Sequence, residues 1–150
     1  MTSTKIIQFS FFVTLLILYM GFTSVNHAYA DEDKNSRVYK LSDVKGRYAF
    51  SFDGEIIGLG PVTAAGYIVA DGKGNIPQAE RTLVTVVGPP SIDTFTCTYD
   101  INPNGKGSSA CTLDATGVVE TFDYVLEDNG KGFRIVGTTP GVVILGGGQR

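Results

Sequence analysis

Apolar and polar positions alternate with a period of two through most of the chain after residue 45. Tyr48, Phe50 and Phe52 share one face of a first predicted strand, with small or polar side chains between them. This period marks a half-buried β-strand, because successive side chains point to opposite faces. The pattern predicts further strands at about 62–70, 81–87, 93–101, 107–113, 118–127, 133–136 and 142–145. No helical period of useful length follows Lys45, so we expect an all-β domain.

Short glycine-rich turns separate the predicted strands. The sequence Gly-Lys-Gly occurs at 72–74, 105–107 and 130–132, each time after Asp or Asn. Asp or Asn followed by Gly favours tight hairpins, because both residues tolerate positive φ. Such hairpins joining about eight antiparallel strands predict a meander closed into an up-and-down barrel. A two-sheet sandwich is the alternative.

The start of the chain has the features of a secretory signal peptide. Lys5 precedes an apolar run from 9 to 22 that carries no charge, and Ala28-Tyr29-Ala30 offers the small residues that a signal peptidase recognises. The run is shorter than the roughly 20 residues that a membrane-spanning helix needs. We therefore expect an exported protein, periplasmic or extracellular, with no membrane span once the signal is cleaved.

The expected organisation has three parts. Residues 1–30 form the signal peptide, and residues 31–45 form a flexible lead-in with one helical turn near 41–44. Residues 46–150 form a single β-barrel domain, which is long enough to enclose one hydrophobic core.

Composition after cleavage excludes several classes of chemistry. The one histidine of the chain, His27, lies in the predicted signal peptide. Without histidine, Ser-His-Asp and Cys-His catalysis and histidine-containing metal sites are excluded. Neither phosphate-binding glycine motif occurs, and a mildly acidic chain without basic clusters is a poor candidate for nucleic acid binding. We predict no catalytic residues, no metal and no cofactor.

Cys97 and Cys111 are predicted to form a disulfide. A three-residue hairpin over 103–105, with Gly105 in the left-handed position, makes residues 102 and 106 face each other. Counting outward from that pair places Cys97 directly opposite Cys111 on the neighbouring strand, at a separation that suits a disulfide. Export makes the bond chemically favourable. Reduced buried thiols and a redox or metal-binding pair are the alternatives.

Three segments carry a resemblance to known proteins. They are Gly46-Arg47-Tyr48-Ala49-Phe50-Ser51-Phe52-Asp53-Gly54, the turn Asp71-Gly72-Lys73-Gly74-Asn75, and Tyr99-Asp100-Ile101-Asn102-Pro103-Asn104-Gly105-Lys106-Gly107. Together they resemble a group of small exported bacterial β-proteins of unknown function. The resemblance implies a β-barrel in the bacterial envelope and transfers no active site. The architecture alone is similar to that of calycin and allene oxide cyclase barrels.

Aromatic side chains occur on most predicted strands, where they form either a filled core or the lining of a ligand pocket. The candidate ligand-binding residues are Tyr48, Phe50, Tyr67, Tyr99, Phe122 and Tyr124. Glu120 shares its strand face with Phe122, so it can point inward, whereas Arg134 is expected to point outward. Because the inferred inward faces carry almost no basic residue, we expect a small apolar or aromatic ligand that is uncharged or cationic.

Three functions remain open from the sequence. The first is a non-enzymatic barrel that binds a small apolar ligand, and the pattern of rings favours it. The second is a structural or protein-interaction module of the cell envelope, for which the sequence names no protein partner. The third is a barrel enzyme of cyclase type. A cavity inside the barrel favours the first or third, and a filled interior favours the second.

Overall fold

The structure is a computed structural model that describes residues 37–150, so the predicted signal peptide and residues 31–36 lie outside the described part. The strands are β1 (Lys45–Ile56), β2 (Gly60–Asp71), β3 (Asn75–Thr85), β4 (Ser91–Tyr99), β5 (Lys106–Leu113), β6 (Val119–Glu127), β7 (Gly132–Gly137) and β8 (Val142–Gln149). Each strand pairs antiparallel with the next, and β8 pairs with β1, so the sheet closes into one barrel. The predicted meander barrel is confirmed, and the sandwich alternative is wrong.

The connections give the barrel two distinct ends. The β2–β3, β4–β5 and β6–β7 turns lie at one end and contain the three Gly-Lys-Gly sequences. Gly72, Gly105 and Gly130 have φ of +77°, +85° and +84° there, as these hairpins require. The other four turns lie at the opposite end, which we call the acidic end. Its carboxylates are Asp53, Glu55, Asp93, Asp114 and Glu120.

Residues 37–44 are held against the end that carries the Gly-Lys-Gly turns, and we call them the plug. They contain the expected helical turn, a single 3-10 turn at Leu41–Asp43. The Tyr39 amide donates to the Pro103 carbonyl at 3.0 Å. Val44 is buried in the barrel core. We refer to this end of the barrel as the plugged end. Among residues 37–150, the structure contains no helix with the length and apolar character needed to cross a bilayer.

Several strands extend beyond the positions that the alternating pattern predicts, and glycine is the main reason. Gly54 lies within β1, where a Cβ atom would come within 2.0 Å of the Val143 carbonyl oxygen. Gly146 lies within β8, where a Cβ atom would come within 2.3 Å of the Ser51 carbonyl oxygen. Both glycines therefore permit close approach of neighbouring strands inside a curved sheet, although in a sequence they resemble turn residues.

Candidate functional site

The barrel interior is not completely filled. A cavity of about 70 Å³ lies in its middle, and a second cavity of about 60 Å³ lies nearer the plug. Five phenylalanine rings line the first, those of Phe50, Phe52, Phe95, Phe122 and Phe133. The two cavities share the lining residues Ile68, Ile76, Ser109, Phe133 and Ile135, so they are neighbours separated only by these side chains. A cavity inside the barrel is the feature that favours a ligand-binding or enzymatic function.

A buried ionic cluster lies on the side of the larger cavity that is nearer the acidic end. Arg81 is 4% exposed, and its two terminal nitrogens donate to the two carboxylate oxygens of Glu120 at 2.6 and 2.8 Å. Its Nε donates to Asp93 at 3.0 Å. The Glu120 and Asp93 side chains are 17% and 23% exposed, so they lie between the cavity and solvent. We call these three residues the Arg81 cluster.

The strand register assembles the Arg81 cluster. Asp93 is the direct partner of Arg81 on β4, and Gly66 is its partner on β2, where a Cβ atom would come within 2.0 Å of the Glu80 carbonyl oxygen and 2.7 Å of the Arg81 Cα atom. Glu120 reaches Arg81 from β6 and points inward, as its place in the strand predicts. Burial lowers the pKa of Arg81, but hydrogen bonds and charge from Glu120 and Asp93 outweigh it, so the pKa is raised overall.

Arg81 corrects one expectation from the sequence. The inward faces were expected to carry almost no basic residue, yet a guanidinium lies inside the barrel. A β-bulge between Ile76 and Ala79 shifts the alternation of β3 and turns Arg81 inward. The alternation of Ala79, Arg81 and Leu83, all at least half-buried, becomes visible once the bulge is recognised. Arg134, by contrast, points outward as predicted, with its side chain 71% exposed.

The hydroxyls of three candidate ligand-binding tyrosines bond to the chain itself. The Tyr48 hydroxyl donates to the Gly130 carbonyl at 2.6 Å, and the Tyr99 hydroxyl donates to the Val44 carbonyl at 2.8 Å. The Tyr124 hydroxyl donates to the Asp100 carbonyl. Burial raises the pKa of all three phenols, so they remain neutral donors at physiological pH. These hydroxyls tie strands, turns and plug together and are not free to orient a ligand.

Replacing Tyr48 by phenylalanine is expected to reduce the free energy of unfolding by about 1–3 kcal/mol, because the buried Gly130 carbonyl loses its donor. Chemical denaturation measures the change. Tyr67→Phe is the matched control, since Tyr67 lies on the outside of the barrel and its hydroxyl bonds only exposed Gln78 at 3.2 Å. Equal losses in the two variants would contradict this assignment of the Tyr48 hydroxyl.

The six candidate ligand-binding residues therefore separate into four groups. Phe50 and Phe122 line the larger cavity, while Tyr99 and Tyr124 line the smaller one with their rings. Tyr48 is fully buried and packs on Phe133 with ring centroids 5.8 Å apart, but it lines neither cavity. The expectation for Tyr67 is wrong, because its ring lies on the outer surface of the barrel. The central guanidinium carbon of Arg47 lies 3.7 Å from the centroid of that ring.

The predicted disulfide is confirmed. Cys97 and Cys111 are direct cross-strand partners on β4 and β5, and their sulfurs are bonded. Both residues are buried and contribute to the wall of the larger cavity. Within residues 37–150, no group of three or more His, Cys, Asp or Glu side chains is arranged to hold a metal ion.

Comparisons with known proteins give the fold but no family. No protein-family model matches the chain, and no curated protein matches it. Among solved structures, the chain is similar to a de novo designed fluorescence-activating β-barrel, with 10% identity and a TM-score of 0.52 over 75% of this chain and 98% of that one. It is also similar to mFAP1, a redesigned β-barrel bound to DFHBI, with 13% identity and a TM-score of 0.49 over 74% and 98%. The likeness to the de novo designed barrel supports a closed β-barrel.

Proposed function

We propose that this protein binds a small apolar or aromatic molecule inside its barrel without catalysing a reaction. The observation that carries the proposal is the ring-lined cavity between the tyrosine hydroxyls and the Arg81 cluster. The interior of an eight-stranded barrel is just wide enough either to be filled by side chains or to hold one small ligand, and the two cavities leave this interior incompletely filled. Phenylalanine rings supply an apolar surface, and the Ser109 hydroxyl adds one polar group at the boundary of the two cavities.

The size of the cavities limits the ligand. Taken together, their volumes of about 70 and 60 Å³ approach those of apolar cavities, about 150 Å³, that bind benzene. Pockets for drug-sized molecules occupy roughly 300–1,000 Å³. The proposed ligand therefore carries a single ring or a short aliphatic chain, and it spans both cavities after a small rearrangement of the shared side chains.

Benzyl alcohol is a suitable neutral probe for this site. Titration followed by NMR is expected to give saturable shifts for cavity residues such as Phe50 and Phe122. Ser109→Leu places extra carbon atoms where the two cavities meet, so it should weaken binding at least tenfold, which corresponds to about 1.4 kcal/mol.

Thr112→Leu is the matched control for this experiment. It introduces the same residue on the same strand but on the exposed outer face, so it should leave binding unchanged. Circular dichroism and thermal melting confirm that both variants fold. Absence of saturable binding in the unaltered protein, or equal binding by Ser109→Leu, would refute the proposal.

A protein-interaction module is the second candidate. The turns of the acidic end expose apolar side chains, among them Ile57, Val86 and Val87, which are 82%, 71% and 62% exposed. Clusters of exposed apolar residues commonly mark interaction surfaces. Failure of the probe to enter the barrel would favour this candidate.

An enzyme of cyclase type is less well supported, because the ionisable Arg81 inside the barrel is already paired with two carboxylates.

We further propose that the protein works outside the cytoplasm, in the periplasm or the extracellular space. The Cys97–Cys111 disulfide supports an oxidising compartment. The signal-peptide pattern in residues 1–30 supports export.

A further inference from the structure

The Arg81 cluster carries an unbalanced charge at the edge of the cavity. One guanidinium faces the carboxylates of Glu120 and Asp93, so the cluster has a net charge of −1 when all three groups are ionised. Arg81 has little access to solvent, and the two carboxylates are only partly exposed. Solvent therefore screens this negative charge less than it screens a charge on the outer surface.

No other basic side chain of residues 37–150 lies close enough to balance this charge at the acidic end. The remaining lysines and arginines of that part of the chain lie in the half of the barrel nearer the plugged end. They are Arg37, Lys40, Lys45, Arg47, Lys73, Lys106, Lys131, Arg134 and Arg150. Asp53, Glu55 and Asp114 add to the negative potential around the acidic end. A cation is therefore favoured at this side of the cavity, and an anion is disfavoured.

The carboxylates of the cluster also keep capacity for further hydrogen bonds. A carboxylate offers about four acceptor positions. Arg81 uses two of those on Glu120 and one on Asp93. Glu120 itself lines the larger cavity, so its unused lone pairs are within reach of a ligand that occupies it. An ammonium group there would form charge-assisted hydrogen bonds, which are stronger than neutral ones.

Aromatic rings surround the same position. The Arg81 guanidinium carbon lies 5.8 Å from the Phe52 ring centroid and 5.7 Å from that of Phe95. The ring environment therefore already accommodates one cation, and ring faces attract a second by the same cation–π interaction. The apolar part of a ligand whose ammonium group lies here would fill the rest of the larger cavity, which phenylalanine rings line.

From these contacts we propose that the ligand is a small organic cation, an amine with a single ring or a short apolar chain. Its ammonium group contacts Glu120, which lines the cavity, and its apolar part fills the cavity. Asp93 is the residue that sets the charge preference, because it supplies the second carboxylate of the cluster. This inference rests on the proposed function, since it specifies the ligand of that same cavity.

Three probes of similar shape and different charge test the inference at pH 7: benzylamine as the cation, benzyl alcohol as the neutral compound and benzoate as the anion. Calorimetric or NMR titration is expected to show benzylamine binding at least about tenfold more tightly than benzyl alcohol, with benzoate the weakest. Asp93→Asn removes one charge but keeps an oxygen acceptor for Arg81. It should abolish the preference for benzylamine and leave the affinity for benzyl alcohol unchanged.

Asp53→Asn is the matched control, because it removes a carboxylate from the outward face of β1 near the same end. It should keep most of the preference for benzylamine, because Asp53 is exposed and solvent screens its charge more than that of the cluster. If Asp93→Asn does not fold, Glu120→Gln makes the same change of charge within the cluster. Equal binding of benzylamine and benzyl alcohol by the unaltered protein would overturn the inference and leave the proposed function standing. Binding of none of the three probes would overturn both.

Discussion

Replacing Arg81 by methionine should lower the free energy of unfolding by about 3–5 kcal/mol, because removing one partner of a buried ion pair leaves the other charges uncompensated. Glu120 and Asp93 would then face each other inside the barrel without a cation. Chemical denaturation of the folded variant measures the loss.

Arg134→Met provides the matched control for this experiment. Arg134 also pairs with a carboxylate, that of Glu127 at 3.2 Å, but on the outer surface. Exposed ion pairs contribute about 0–1 kcal/mol, so the control should lose little stability. A variant with Arg81, Asp93 and Glu120 all replaced by apolar residues should recover much of the loss. Similar losses for Arg81→Met and Arg134→Met would show that the buried cluster does not stabilise the barrel.

Replacing Cys97 and Cys111 together by serine should cost roughly 3 kcal/mol without changing the fold. The disulfide joins residues 14 apart in sequence, and in the chain-entropy model a loop of about 15 residues has an effect of this size. Urea denaturation of the double variant and of the oxidised protein gives the difference, and circular dichroism checks that the β-structure is retained.

A reductant provides the control for the disulfide prediction. Adding one should destabilise the unaltered protein by a similar amount and leave the double variant unaffected. Non-reducing peptide mapping of protein recovered from the exported fraction should find the two residues linked. Free thiols in that fraction would contradict both the linkage and the proposed oxidising location.

The fold was predictable from the sequence because its determinants are local. The Gly-Lys-Gly turns specify hairpins by their positive φ angles, and alternation assigns most inward faces correctly. The hairpin before Gly107 fixes the register so well that counting from it pairs Cys97 with Cys111. Where a turn and a strand pattern agree, no long-range information is needed.

The candidate site was less predictable, because the direction in which Arg81 points depends on a β-bulge in β3 and because its partner Glu120 is distant in sequence. Continued without interruption from Ile76, the alternation of β3 places Arg81 outward; the bulge reverses it. Glu120, which compensates Arg81, comes from β6. Tyr67 has a large apolar ring that suggests a core position, yet it shares a face with outward residues of β2 and is covered by Arg47.

The tyrosine contacts escaped prediction for a related reason. Their acceptors are backbone carbonyls of turns and of the plug, at Gly130, Val44 and Asp100. No residue type identifies a carbonyl as an acceptor, since every residue has one. A sequence therefore shows that a tyrosine hydroxyl needs a partner but does not show whether that partner is a ligand or the chain itself.

The meander topology has a consequence for how this chain reaches its native state. Seven of the strand pairings join consecutive strands, and β1 with β8 is the exception. That pairing brings Phe52 opposite Gly146, near opposite ends of the described chain. Hairpins with short loops form early because little entropy is lost in closing them, whereas the β1–β8 seam closes the longest loop. We therefore expect closure to be the late event in folding, and it depends on β8, whose glycines give up the most conformational freedom on becoming ordered.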